Sequence, residues 1–186
     1  PQIVEVLISE EIFDHEIIIV DDGSTDGTSE LINYLKNKNY KVCLIENKPP
    51  LNLPLSIYKG IENSNFKNVM WLDADGSMGG NAILKMINEI KQNPDNVIIG
   101  SRFVSGGGYK GQNENGSENL FRIIKNIINS EDSILAVYLS KLFNNLLKVL
   151  LNSSVKDITS GFIIGRREYF NADCFKECIY GEYFIK

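Results

Sequence analysis

The chain has 186 residues, 43% hydrophobic and 23% charged, with a formal net charge of −5; this is the make-up of one soluble globular domain with a substantial core, and the length does not lead one to expect two. The negative balance excludes broad binding to nucleic acid, which needs a basic field to displace counterions. The three cysteines, Cys43, Cys174 and Cys178, show no disulfide or metal spacing and read as reduced, partly buried thiols of a cytosolic compartment.

No charged start followed by an apolar stretch is visible after Pro1, so no signal peptide is expected. No stretch long enough to cross a bilayer is free of polar groups, so no membrane-spanning helix is expected. Ile3, Val4, Leu7 and Ile8 fall at helical spacing and read as the end of a helix. Glu16 to Val20 is a short β-branched run expected to form a strand buried on both faces. Thr28 or Ser29 is expected to cap the next helix, which runs to about Leu35. Lys41 to Ile45 is the second strand, and Pro49, Pro50 and Pro54 mark a loop before a helix over Ser56 to Asn63. Asn68 to Leu72 is a third strand, Ala82 to Lys91 an amphipathic helix, and Val97 to Ile99 a fourth strand. This alternation predicts a parallel sheet with helices on both faces.

The pattern changes after Gly100. Ser105 to Ser117 is rich in Gly, Asn and Gln and too polar to pack, as in a lid or a disordered loop. Helices are expected over Asn119 to Ile128 and Ile134 to Leu151, then a strand near Ile158 to Ile164. In the second helix Ser140, Lys141, Asn144, Asn145 and Lys148 recur every three to four positions. That sets a narrow polar face against a broad apolar one, fit either for the core or for a membrane surface to which the lysines would draw anionic headgroups.

Two acidic turns carry the chemistry. Glu16-Ile17-Ile18-Ile19-Val20 runs into Asp21-Asp22-Gly23-Ser24, and Val69-Met70-Trp71-Leu72 runs into Asp73-Ala74-Asp75-Gly76. In an open α/β sheet ligands sit beyond the carboxyl ends of the strands, so both clusters should face one pocket. Their carboxylates repel unless a cation or a donor-rich ligand lies between them. Asp73 and Asp75, two residues apart, can both turn toward one ion, and hard oxygen ligands suit magnesium or manganese (Mg2+ or Mn2+), with substrate phosphates completing the shell. The plainer reading is an acidic turn capping the helix that starts near Asn81. A carboxylate at Asp21 or Asp22 can accept from a base N–H or a ribose hydroxyl. The plainer reading there is an Asp-rich turn, a part that suits Asp26. Trp71 reads as core packing behind the metal loop, and Cys174 and Cys178, four apart, as core thiols rather than zinc ligands.

The segments IIIVDDGSTDGT, WLDADG, GSRFVSGGG and DITSGF, in that order, resemble glycosyltransferase family 2, and most nearly the polyprenol-phosphate sugar transferases of the dolichol-phosphate mannose synthase type. The resemblance implies a GT-A fold, a Rossmann-like, mostly parallel sheet flanked by helices. It makes residues 1–186 a single catalytic domain, clipped at both ends relative to the family. It further implies inverting, metal-dependent transfer of a hexose from a nucleotide diphosphate sugar, GDP-mannose or UDP-glucose, to polyprenyl phosphate. The enzyme would be peripheral at the cytosolic face of a membrane. Carried over by motif, Asp21, Asp22, Gly23 and Ser24 would meet the nucleoside, and Asp73, Ala74 and Asp75 the metal and diphosphate. Asp75, Arg102 and Asp157 would stand at the reacting centre. Arg102, Thr159 and Ser160 would meet the acceptor phosphate. A guanidinium grips phosphate oxygens in pairs, which gives Arg102 a warrant of its own; a surface salt bridge is the plainer reading.

A phosphomonoester is largely dianionic at neutral pH and attacks without a general base. That fits a chain whose one histidine, His15, precedes the first strand and so lies at the far end from the pocket. A saccharide acceptor in surface-polymer synthesis is the alternative; it needs a carboxylate base, for which Asp157 is the visible choice. A noncatalytic nucleotide-sugar-binding remnant is the second alternative, suggested by the missing ends and by Ser77, where relatives often carry Gln. Relatives also place basic residues before the Ser of the acceptor helix, where this chain has Ala136 and Val137 ahead of Ser140; Arg122 and Lys125 are the replacements at hand.

Overall fold

The computed structural model describes residue 7 and residues 14–48, 52–104 and 134–176. The expected helix end around Ile3, Val4 and Ile8, the loop Ser105 to Ser117, the helix Asn119 to Ile128 and Cys178 lie outside the described residues, apart from Leu7, which is helical and buried. In chain order the elements are β1 (Ile17–Asp21), α1 (Thr28–Asn37), β2 (Val42–Glu46), α2 (Leu53–Glu62), β3 (Asn68–Trp71), α3 (Gly80–Gln92), β4 (Ile98–Ile99), α4 (Ile134–Leu150), β5 (Ile163–Arg166), a single 3-10 turn (Arg167–Tyr169) and α5 (Asp173–Lys176).

The β-branched run Ile17 to Val20 extends as expected and pairs in parallel with β2, from Ile17 opposite Val42 to Asp21 opposite Glu46. It is only half-buried rather than buried on both faces, because among the described residues β2 alone pairs with it. Cys43 on β2 is exposed, not partly buried. Neither Thr28 nor Ser29 caps α1. Gly27 takes that position at φ 87, a left-handed conformation glycine adopts without strain, while Asp26 accepts from the Thr28 amide (3.2 Å) and hydroxyl (2.5 Å). Helix α2 begins three residues earlier than the spacing suggests. Asn52 caps it by accepting from the Leu55 amide at 2.9 Å, and Pro54 sits in the first turn, where a missing N–H leaves no bond unmade.

The α/β class holds, with one departure from a parallel sheet. Strand β5 lies between β3 and β4 and runs antiparallel to both, with Ile163 opposite Trp71 and Ile99. The reversal follows from where the chain arrives. Gly100 donates to the Phe162 carbonyl at 2.8 Å, so β5 starts where β4 finishes and can only run back. The strand starts at Ile163 rather than Ile158 because the preceding residues bend inward: Asp157, Ile158 and Ser160 are buried.

The core forms under this second sheet. Ile83, Met86 and Ile90 of α3 pack with Phe162 and Ile164, and a second cluster joins Ile61 of α2, Val69 of β3 and Phe175 of α5. Each such side chain contributes about 1.5–3 kcal/mol by leaving water. At Gly100 the backbone passes so close to the Phe162 ring that a Cβ would lie 3.0 Å from Cγ and 3.3 Å from Cβ of Phe162. Gly100→Ala is therefore expected to cost about 1–3 kcal/mol through forced repacking, read as a lower urea midpoint; an unchanged midpoint would refute this tight approach.

Of the two placements its pattern allows, the described part of helix α4 does not take the one with its apolar face in the core. Among its described side chains, from Leu139 on, Leu147 and Asn144 are buried, whereas Leu139, Leu142, Phe143, Leu146, Val149 and Leu150 are 51–79% exposed. Asn144 is an anchor: its Nδ2 donates to the Lys156 carbonyl at 2.6 Å and its Oδ1 accepts from the Ile158 amide at 2.9 Å. Buried amides persist only when so satisfied. Among the described residues no helix is long and apolar enough to cross a membrane.

Candidate functional site

Helix α2 decides which strand ends share a side of the molecule. Its first turn touches the end of β1, where Ser56 meets Asp22. Its far end leads to Asn65, whose amide and side chain donate to Glu16, just before β1, at 2.5 and 2.9 Å. Asn65 stands three residues before β3, so the chain enters that strand from beside the amino end of β1. Each acidic turn follows the carboxyl end of its own strand, Asp22 after β1 and Asp73 to Asp75 after β3. A hollow of about 360 Å³, lined by Tyr58, Ile61, Glu62 and Arg167 among others, lies at the opposite end of the strands.

The adjacent acids after β1 are set to different tasks. Asp21 is buried and closes the turn, accepting from the Ser24 amide at 3.0 Å and from the Ser24 hydroxyl. Gly23 between them takes φ 100. Asp22 is exposed, and its carboxylate is steered from outside the turn. Ser56 Oγ lies 2.8 and 2.9 Å from its two oxygens, and Asn47 Nδ2 donates to Oδ1 at 3.0 Å. Sequence reading missed Asn47 and Ser56. Their only signal was position: the first residue beyond β2, and the first turn of a helix returning to the same edge.

After β3, Asp73, Ala74 and Asp75 are all exposed, and Gly76 turns the chain at φ 78. Asp75 Oδ1 accepts from the Ser77 amide at 2.9 Å, while the Ser77 hydroxyl points at Met78 Sδ, 2.9 Å away, rather than at the acids. Although Asp73 is exposed at the surface, neighbouring protein strips part of its hydration, and this, followed by the charge of Asp75, pushes its carboxyl above the ordinary value. No group of three or more His, Cys, Asp or Glu side chains able to hold a metal occurs among the described residues. A pair of carboxylates fits a hard cation of the magnesium type, which takes one or two from protein and the rest from water and substrate phosphate.

Arg102, in the turn after β4, and the bend before β5 form the tightest polar cluster. Asp157 is fully buried and accepts from the Arg102 amide (3.0 Å), Nε (2.9 Å) and one terminal guanidinium nitrogen (2.9 Å). That nitrogen also donates to Thr159 Oγ1 at 2.7 Å. Burial pushes the Asp157 carboxyl up, but the hydrogen bonds and charge of Arg102, with help from Thr159, outweigh it and hold the group below the ordinary carboxylate value. Arg102 remains one-third exposed. Ser160 is buried, its hydroxyl accepting from the Phe162 amide at 3.3 Å. Asp157 is thus enclosed by protein and paired with Arg102.

A family profile, Glycosyl transferase family 2, matches residues 1–173. Among curated proteins, the chain is similar to the poly-beta-1,6-N-acetyl-D-glucosamine synthase of Staphylococcus epidermidis strain RP62A, at 37% identity over 90 residues, 47% of this chain and 21% of that protein. It is similar to the poly(ribitol-phosphate) beta-glucosyltransferase of Bacillus spizizenii, at 32% over 94 residues, 47% of this chain and 14% of that protein. The poly-beta-1,6-N-acetyl-D-glucosamine synthase of Staphylococcus aureus strain COL matches at 40% over 81 residues, 42% of this chain and 19% of that protein. The matched stretches span 14–21% of these relatives' lengths. With strand-end acids, an α/β core and a family match over nearly its whole length, the chain belongs to glycosyl transferase family 2 and has that family's GT-A fold.

Proposed function

We propose that this domain transfers a hexose-class sugar from a nucleotide diphosphate sugar to a saccharide acceptor in the synthesis of a cell-surface polymer. The observation that carries the donor half is the carboxylate pair Asp73 and Asp75 at the end of β3 in a member of this family. The acceptor half rests on the printed names of the relatives, a polysaccharide synthase and a poly(ribitol-phosphate) glucosyltransferase. In this reading Asp73 and Asp75 hold magnesium or manganese with the donor diphosphate, and the ion supplies charge stabilisation to the departing group. Asp22 receives the nucleoside base. Arg102, aimed by Asp157 and Thr159, faces substrate phosphates.

A second reading, transfer to polyprenyl phosphate at the cytosolic face of a membrane, has observations of its own. Asp157 is enclosed and paired, so it does not serve the base that a sugar hydroxyl needs, whereas a phosphate dianion needs none. The outward apolar face of α4 also suits contact with lipid.

One experiment tests both. Radiolabelled UDP- and GDP-sugars with manganese are offered to the full-length protein beside a soluble oligosaccharide and beside polyprenyl phosphate in vesicles. Label in a water-soluble saccharide supports the first reading. Label in the organic phase overturns it in favour of the second. Donor binding without transfer to either would overturn both and match a noncatalytic nucleotide-sugar-binding domain.

A further inference from the structure

The hydrogen bonds around Asp22 restrict which base it can receive, given the reading above that Asp22 meets the nucleoside. Ser56 Oγ stands almost equidistant from the two carboxylate oxygens, at 2.8 and 2.9 Å. It therefore occupies the fork between them, the position from which two parallel N–H donors must approach a carboxylate. Ser56 has one proton to give. Its distance to the Asn52 carbonyl is longer, 3.2 Å, and that acceptor is uncharged, so the proton goes to the carboxylate. Asn47 Nδ2 fixes this orientation by donating both to Ser56 Oγ and to Asp22 Oδ1, each at 3.0 Å. Oδ1 then receives Asn47 and Ser56 and its two lone pairs are engaged. The outward lone pair of Oδ2 remains to accept one donor from solvent or ligand.

We propose that Ser56 and Asn47 are positioning residues that make Asp22 a single-donor acceptor, selecting a base with one imide N–H, a uracil-type ring, over guanine. Guanine presents N1–H and the 2-amino group side by side and needs the fork that Ser56 fills. Uracil presents only N3–H and matches the one open position. A site that leaves a ligand donor unpaired rejects that ligand more strongly than one that merely fits loosely.

The test is calorimetric titration of the full chain with UDP and with GDP, each with manganese. UDP is expected to bind at least about tenfold more tightly, equivalent to about 1.4 kcal/mol. In Ser56→Ala the fork opens, and the UDP-to-GDP ratio is expected to fall by about fivefold or more, chiefly through tighter GDP binding. Equal or tighter GDP binding by the parent chain overturns the inference, and so does an unchanged ratio in a folded Ser56→Ala. The parent ratio decides by itself if that variant does not fold. Asp22→Ala separates the underlying reading: if binding of both nucleotides survives it unaltered, or if neither binds the parent, Asp22 does not meet the base and the inference falls with that reading.

Discussion

Asp73→Asn is expected to leave the folded chain as stable as the parent or more so, while lowering sugar transfer by about two orders of magnitude or more. The second half follows from the proposed metal role, since even partners one step removed from a metal's ligands typically cost about 10–100-fold when lost. The first half follows from the electrostatics of the loop. Partial loss of hydration and the neighbouring Asp75 raise the Asp73 carboxyl above its ordinary value. The folded chain thus holds that proton more tightly than the unfolded chain, and ionised Asp73 weighs against folding once the pH exceeds the raised value. A neutral amide of the same shape removes the penalty at pH 7. Thermal melts of both proteins check the prediction, with and without manganese. The metal should raise the parent's melting temperature and leave that of the variant unmoved. A variant that melts below the parent without metal would show that Asp73 stabilises the loop instead of being tolerated there for its function.

Arg102→Ala is expected to destabilise the chain by about 3 kcal/mol, the low end for breaking a buried ion pair because Arg102 is itself one-third exposed. The variant keeps the fully buried Asp157 carboxylate and the backbone amide that donates to it, and removes the two guanidinium donors. The pH dependence has a definite sign. Asp157 has a depressed value in the folded parent, so its contribution is present above the ordinary carboxylate value and is lost as the pH falls through the depressed one. Urea titrations should show a large gap between parent and variant at pH 7 that narrows below about pH 4. Asp157→Asn, which leaves no buried charge, should cost less than Arg102→Ala. A gap independent of pH would mean that lost packing of Arg102, and not its charge, dominates.

The local alternation of strand and helix was legible in the sequence because β-branched runs and amphipathic periods report backbone geometry directly. Ile17 to Val20, Asn68 to Trp71 and the α3 segment needed nothing more. The reversal of β5 was not legible, since it depends on the Gly100–Phe162 contact between residues far apart in the chain. In the site, the acids were visible from composition and position, but their division of labour was not. Asp21 and Asp22 are neighbours of one type, and only the return of α2 to the edge of β1 gives Asp22 partners 25 and 34 residues away. Asp157 was placed at the reacting centre by the resemblance of its motif, and the motif does not show what the side chain pairs with. Its enclosure by Arg102 is a fact of tertiary structure. Likewise, helical spacing showed that α4 has two faces without showing that Asn144, a polar residue, would turn inward.

Trp71 is the chain's one tryptophan. Its ring lies edge-on to Phe170 at 4.8 Å and to Phe175 at 6.2 Å, two positions before Asp73. Its intrinsic emission is therefore an unmixed optical signal from the base of the acidic loop, free of competing indoles. Stopped-flow mixing with a divalent cation and a nucleotide would record the kinetics of loop rearrangement in unlabelled protein, with the same wavelength reporting collapse of the aromatic cluster on unfolding.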